Sequence, residues 1–315
     1  MKIAFVVDPL DDFKIYKDST YAMMREAAAR QHELHVLQQA DLVWHDGVVT
    51  GHAQRLHLTG EKEAWYRVEA PHAMPLKDFD AVLMRKDPPF DMEYVYSTYL
   101  LELAQDQGAR VFNDPRAIRD CNEKMTIARF PQFTAPMLVT RQAGLIREFL
   151  AVHGDIILKP LDGMGGASVF RVHGKDPNLN VIIETVTHYG RRMVMAQRFI
   201  PAIADGDKRV LLIGGKPVPY SLARIAKPGE TRANLAAGGT GIARELTPRD
   251  REIAETLAPQ LHAQGLLLVG LDVIGDYLTE VNVTSPTCFQ EISEQTGFNV
   301  AGMLLDALEH AIARR

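Results

Sequence analysis

The stretch DIILKPLDGMGGASVFRV, residues 155–172, joins two apolar runs through a cluster of small residues, with Lys159 just before the turn. Glycines at 163, 165 and 166 leave room for backbone N–H groups to close over an anion, and a lysine beside them adds a compact positive charge. A triphosphate suits that pair; a plain hairpin turn is the competing reading. A second constellation lies in LVGLDVIGDYLTEVNVTSP, residues 268–286. Asp272, Glu280 and Asn282 there are the hard oxygen donors that Mg²⁺ takes while it also holds nucleotide phosphates. Glu280 and Asn282, two apart, share a strand face. A two-residue Gly275-Asp276 turn would pair Asp272 with Thr279 and turn it away, whereas a three-residue loop ending at Tyr277 would pair it with Glu280. Metal binding predicts the three-residue loop. A half-exposed polar strand face is the alternative, but Glu and Asn inside so apolar a segment are costly without a partner.

The third feature is RIAKPGETRANLAAGGTGIARE, residues 224–245, rich in glycine and alanine and poor in large apolar anchors. A loop of that length in a compact domain is usually functional, and it reads as a lid that would bring Arg232 over a site and exclude water. A merely disordered surface loop is the competing reading. Arg224 at its base and Arg209 on a neighbouring strand would suit stabilisation of a charged transition state. Other phosphate motifs fail. At Gly215-Lys216 the hydroxyl of a P-loop is replaced by Pro217 and the leading glycine by Val210. A dinucleotide fingerprint from Gly163 meets Ser168 at its sixth position, and strand rather than helix follows.

Elements must hold these residues in place. KIAFVVD, HELHVLQ and FDAVLMRK read as strands; DSTYAMMREAAARQ, capped by Asp18 or Ser19, and MEYVYSTYLLELAQDQG, ending at Gly108, read as helices. Residues 1–120 are thus expected to form an open doubly wound α/β domain. FNDPRAIRDCNEKM, where Pro115 and a polar cluster interrupt the rhythm, is the expected boundary. From 121 to 315 the texture is α+β: hairpin-like pairs such as KRVLLIGGKPVPYSLARI, with Thr247-Pro248 opening a helix. The 315 residues suffice for about two domains. A net charge of -5 argues against nucleic acid as a partner. The start lacks a signal-peptide pattern and no apolar run is long enough for a membrane span, so a cytoplasmic protein is expected. Cys121 and Cys288, far apart, have neither disulfide-scaffold density nor zinc-site spacing.

Assembled, these strings resemble the prokaryotic glutathione synthetases, a family of the ATP-grasp superfamily, over essentially the whole chain. The supporting segments are MRKDPPFD (84–91), RDCNEK (119–124), DIILKPLDGMGGAS (155–168), DGDKRV (205–210), NLAAGG (234–239) and LTEVNVTSPT (278–287). The resemblance implies a pre-ATP-grasp N-terminal domain followed by a two-lobed ATP-grasp domain, with a flap lobe at about 124–195 and a metal and lid lobe at about 196–315. It implies ATP phosphates on Lys124 and Lys159 beneath Gly163, Gly165 and Gly166. Gln197, Phe199 and Ile200 would lie against adenine, and Asp207 would belong to the nucleotide pocket. Arg209 and Arg224 would face the reacting groups, Arg85 would anchor the acyl substrate, and Arg232, Gly238 and Gly239 would act in the lid. Asp272, Glu280 and Asn282 would hold Mg²⁺, or Mn²⁺. Thr240 departs from the basic residue common at that place, which touches only the detail of the lid.

The reaction so implied joins γ-glutamylcysteine and glycine, with ATP giving ADP and phosphate through an acyl phosphate. It needs no enzyme nucleophile, in keeping with the lack of GxSxG or HExxH, and leaves both cysteines as bystanders. Ser285 before Pro286 reads as a helix cap where, with Thr287, a glycine carboxylate could sit. A homo-oligomer, a tetramer in the family, is the implied assembly. Two other readings are an ATP-grasp ligase for a different acyl or amine substrate, which Arg85 and MRKDPPFD disfavour, and a non-catalytic nucleotide sensor, which the retained Asp272, Glu280, Asn282 and Arg232 disfavour.

Overall fold

A computed structural model describes residues 1–163, 166–225 and 240–313. The N-terminal part runs β1 (Lys2–Val6), α1 (Ser19–Ala29), β2 (Glu33–Leu37), β3 (Leu42–His45), β4 (Val48–Leu58), β5 (Tyr66–Val68), β6 (His72–Pro75), β7 (Ala81–Met84), α2 (Met92–Asp106), β8 (Val111–Phe112) and α3 (Pro115–Asp120). Its centre is a parallel sheet ordered β2-β1-β7-β8. β1 is apolar throughout because both faces are covered: Ile3 and Phe5 join one core cluster, Ala4 and Val6 another. Asp18, not Ser19, caps α1 by accepting from the Tyr21 N–H at 2.8 Å, and Gly108 takes the positive φ just past α2.

Two expectations for this part need correction. Residues 42–75, unassigned in the sequence reading, form an antiparallel extension in which β4 pairs with β2, β3, β5 and β6. Its strands are half exposed and mix polar with apolar residues, so no apolar run announces them. Pro115 interrupts nothing. It occupies the first turn of α3, where its missing N–H costs no hydrogen bond, and the Asp114 side chain caps that helix.

The next part comprises β9 (Met137–Thr140), α4 (Ala143–His153), β10 (Asp155–Pro160), β11 (Phe170–His173), α5 (Leu179–Val186) and β12 (Val194–Arg198). Its four strands form an antiparallel sheet, β11-β10-β12-β9, packed on α4 and α5 through Ile146, Leu150, Ile156, Leu158 and Ile183. The last part comprises β13 (Asp207–Ile213), β14 (Lys216–Ile225), β15 (Thr240–Glu245), α6 (Pro248–Ala263), β16 (Leu268–Ile274), β17 (Tyr277–Asn282), α7 (Phe289–Thr296) and α8 (Val300–Ala313). Its antiparallel sheet is ordered β15-β14-β13-β16-β17. Alternation along β13 divides the packing: Val210 and Leu212 meet α6, while Leu211 and Ile213 join α7, α8, α1 and β1 in one continuous core. Among the described residues no helix is long and apolar enough to cross a membrane.

The expected long loop at 224–245 is shorter than its composition suggested. Arg224 and Ile225 end β14, and Thr240 to Glu245 form β15 against it, with Ile225 opposite Thr240. The span between them, with Arg232, Gly238 and Gly239, lies outside the described residues, as does Gly165 of the glycine cluster.

Candidate active site

The site lies where the two C-terminal sheets meet. Arg209 on β13, Asp272 on β16 and Glu280 on β17 are direct cross-strand neighbours, so the register sets them in one row. Asp272 does face Glu280, but not through a three-residue loop. The turn is the two-residue Gly275-Asp276, with Gly275 at φ 56°, and a bulge makes up the difference: Val273 pairs with Leu278 and Asp272 with Glu280, leaving Thr279 as the extra residue. Its hydroxyl donates to the Asp272 carbonyl at 3.0 Å, which satisfies the kinked backbone locally.

Charges at this face are buried and interlocked. Arg209 Nε donates to Asp272 at 2.6 Å and Arg224 reaches the other Asp272 oxygen at 2.9 Å. Arg224 also pairs with Asp207, its neighbour across β13 and β14. Burial alone would push the Asp272 carboxyl up, but the two guanidiniums hold it well below the usual carboxylate range. Asp207, partly exposed but largely desolvated, shares Arg224, feels the charges of Asp272 and Glu280, and rises to about 6. Gly270, opposite Asn282, is required by closeness: a Cβ there would lie 2.9 Å from the Pro286 Cβ and 3.0 Å from the Arg209 Cδ. Sequence reading missed it, since the need comes from Arg209 on another strand.

Cations from the other sheet complete the cleft. Lys159 on β10 is buried, 3.4 Å from the Thr279 carbonyl and 3.8 Å from Glu280 Oε1; burial drives its ammonium below the usual lysine range, with Glu280 opposing. Lys124, just beyond α3, donates to the Gly163 carbonyl at 2.7 Å and lies 3.6 Å from the same Glu280 oxygen. The Glu123 carboxylate also pairs with Lys124. Burial and then the charge of Glu280 push Glu123 up to about 7, a position the sequence reading did not single out although it adjoins Lys124. Lys159 and Lys124 thus converge on one carboxylate oxygen.

The residues expected to hold a divalent cation lie at one face, with both Asp272 oxygens engaged by Arg209 and Arg224. Asp272, Glu280 and Asn282 supply hard oxygens on adjacent strands, and Glu123 sits close enough to feel Glu280. Among the described residues no three His, Cys, Asp or Glu side chains are grouped so that they could hold a metal ion by themselves. Mg²⁺ is commonly held by one or two carboxylates together with substrate phosphates, so an open set agrees with that mode of binding.

The remaining expected residues fall in three groups. Gln197 on β12 is buried with Nε2 unpartnered among the described residues, Ile200 is buried beside it, and Phe199 carries the Arg171 guanidinium over its ring at 3.6 Å. Gly163 and Gly166 both lie in the connection between β10 and β11, Gly166 at φ 76° in a turn over residues 166–168. Arg85 is buried at the end of β7, donating to Thr20 Oγ1 and the Pro286 carbonyl at 3.1 Å each, with Nη1 left without a partner among the described residues. The expectation at TSPT fails in part. α7 begins at Phe289, after Cys288 in the left-handed region at φ 87°, and Ser285 is no cap. The Phe289 N–H is instead satisfied by Ser19 Oγ of α1 at 3.1 Å, while Ser285 donates to Asp87 and Thr287 is exposed.

The solved structure of D-cycloserine synthetase DcsG shares this fold, with TM-score 0.70 and 15% identity, covering 98% of this chain and 99% of that one, and residues 123–297 match an ATP-grasp domain profile, which makes the chain an ATP-grasp protein. The family profile described as prokaryotic glutathione synthetase, N-terminal domain, matches residues 1–119, and that of the ATP-grasp domain matches 123–297. The chain belongs to the prokaryotic glutathione synthetase family. It is 65% identical to the glutathione synthetase of Nitrosomonas europaea over 318 residues (100% of this chain, 99% of the relative) and 65% identical to that of Ralstonia nicotianae over 314 residues (100% and 97%).

Proposed function

We propose that the protein joins the cysteinyl carboxylate of γ-glutamylcysteine to the amine of glycine, with ATP becoming ADP and phosphate, as a cytoplasmic homo-oligomer. The observation that carries this reading is the row of buried Arg209 and Asp272 and half-buried Glu280 facing Lys124 and Lys159. Residues 1–120 would contribute the acyl-substrate side, including Arg85, and residues 121–315 the nucleotide side.

ATP phosphates would lie between Lys124, Lys159 and the glycine turn, displacing the lysines from Glu280 and releasing that carboxylate. Asp272, Glu280 and Asn282 would hold Mg²⁺, or Mn²⁺, which would neutralise phosphate charge. A carboxylate oxygen of γ-glutamylcysteine attacks the γ-phosphorus, the bond to the ADP oxygen breaks, and an acyl phosphate results. The neutral glycine amine then attacks the acyl carbon. Arg209 and Arg224 stabilise the negative oxygen that develops there, and phosphate departs with the former carboxylate oxygen as the amine loses its proton. Asp272 fixes both guanidiniums in place beforehand, so little reorganisation accompanies the reaction. Gln197 and Ile200 would meet the adenine, Asp207 would border the nucleotide, and Ser285 would keep Asp87 oriented.

The test is turnover of purified protein with ATP and Mg²⁺, reading ADP and the product mass with γ-glutamylcysteine alone, glycine alone, both, and D-alanine in place of glycine. Formation of glutathione only with both named substrates is expected. Product from other pairs alone would overturn the substrate assignment.

A further inference from the structure

We propose that Asn113 is a positioning residue of the active site: its side-chain amide stands in for a strand at the point where β17 leaves the sheet, and so fixes Asn282 before that point and Pro286 after it. The inference rests on the roles proposed above for Asn282 and Arg209. β16 and β17 pair as far as Gly270 opposite Asn282. Continued by two residues, that register would set Leu268 opposite Thr284. The chain turns away first, bringing Ser285 to Asp87 and the Pro286 carbonyl to Arg85. Leu268 is buried, so its N–H and its carbonyl need another partner on that side.

Asn113 serves both groups. Its Oδ1 accepts from the Leu268 N–H at 2.9 Å, and its Nδ2 donates to the Leu268 carbonyl at 2.7 Å and, with the second hydrogen, to the Val283 carbonyl at 2.8 Å. One amide therefore spans both strands where their ladder ends, two residues before Gly270 and one after Asn282. The amide is itself held from both sides. Phe112 pairs with Leu83 in the N-terminal sheet, and the Asp114 N–H donates to the Gly265 carbonyl at 3.1 Å. No other side chain of this size offers two donors and an acceptor from one plane. Without them three buried backbone groups lose their partner, and the strand ends must shift or admit water. Asn282, which reaches the Gly270 carbonyl through a side-chain bond of 3.3 Å, adjoins the loosened Val283. Pro286 and Arg209 both lie against Gly270, so movement of the departing chain reaches the guanidinium as well. Lys159 and Lys124 rest on other contacts, to Thr279 and Gly163. A change at Asn113 is therefore expected to fall on the metal ligand and on catalysis, and to spare the hold on nucleotide.

The experiment compares wild type, Asn113→Ala, Asn113→Ser and Leu101→Ala, the last opening a cavity in the N-terminal core. Each is assayed for kcat, for KM of ATP, for its thermal melt, and for Mn²⁺ binding in the presence of ADP, read from the electron paramagnetic resonance of the unbound ion. Asn113→Ala is expected to lose about tenfold in kcat and about tenfold in Mn²⁺ affinity, with KM for ATP within about twofold of wild type. Asn113→Ser, which keeps one hydroxyl, is expected to lose less of both, and it carries the test if the alanine variant does not fold. Leu101→Ala should melt lower yet keep wild-type kcat and Mn²⁺ binding at temperatures where it is folded. Wild-type kcat and Mn²⁺ affinity in the Asn113 variants, the same losses in Leu101→Ala, or a loss confined to KM for ATP would each overturn the inference. Wild type that binds no Mn²⁺ would overturn it together with the metal role of Asn282. Glutathione formation by wild type reads the substrate assignment separately, and the Mn²⁺ comparison stands without it.

Discussion

Asp272→Asn keeps the shape of a buried carboxylate and removes its charge. In the structure that charge offsets Arg209 from 2.6 Å and Arg224 from 2.9 Å. Arg224 retains Asp207, but Arg209 retains no carboxylate within salt-bridge distance among the described residues. Breaking a buried pair by removing one partner costs about 3–5 kcal/mol, and an asparagine oxygen that still accepts one hydrogen bond places this change near 3. With an unfolding entropy of about 2.1 cal/mol/K per residue, a chain of 315 residues loses about 1.5 °C per kcal/mol, so the melting temperature should fall by roughly 4–5 °C. Adding Arg209→Met removes the orphaned cation and should recover part of the loss, while activity stays absent because the guanidinium is gone. Calorimetry and ADP release on wild type, both single variants and the double complete the cycle. Equal melting temperatures for wild type and Asp272→Asn, or additive effects in the double, would refute the reasoning.

Gly270→Ala should lower kcat at least about tenfold with a smaller effect on ATP binding, because the new methyl pushes on Arg209 against an unyielding Pro286; unchanged turnover would show the close approach to be unimportant. Lys159→Met should raise the KM for ATP by an order of magnitude or more while leaving the melt unchanged or raised, since it removes a buried ammonium that burial disfavours; steady-state kinetics and a thermal scan check both. Metal-free protein should lose stability as pH rises. Glu123 is raised from 4.5 to about 7 in the fold, so its proton binds more tightly there than in the unfolded chain; the contribution is full below about 4.5 and gone above about 7. Urea titrations across that window should show a shallower slope for Glu123→Gln. Ser19→Ala should cost about 0.5–2 kcal/mol by uncapping α7 from outside, measurable by the same titrations.

Legibility in the sequence followed burial. β1, β2, β7 and the hairpin strands β13, β14, β16 and β17 are apolar runs bounded by turn residues, and each was readable as a strand. β3 to β6 were not, because WHDGVVTGHAQRLHL is half exposed and its apolar signal is diluted. The same limit appears at the site. Lys159, Asp272 and Glu280 stand out as polar residues inside apolar strands, where each needs a reason. The bulge at Thr279, the close approach at Gly270 and the cap that Ser19 gives Phe289 depend on partners elsewhere in the fold, and no local pattern carries them. Ser285-Pro286 illustrates the converse: a sound local start signal was overridden because the helix began three residues later and was capped from α1.

Transfer of a carboxylate oxygen to phosphate is the central claim, and it is read most directly with γ-glutamylcysteine carrying ¹⁸O in its cysteinyl carboxylate. With ATP, Mg²⁺ and glycine, one ¹⁸O per turnover should appear in the inorganic phosphate, because the acyl phosphate forms through that oxygen and breaks at the acyl carbon. Unlabelled phosphate alongside glutathione, or label in AMP, would contradict the account.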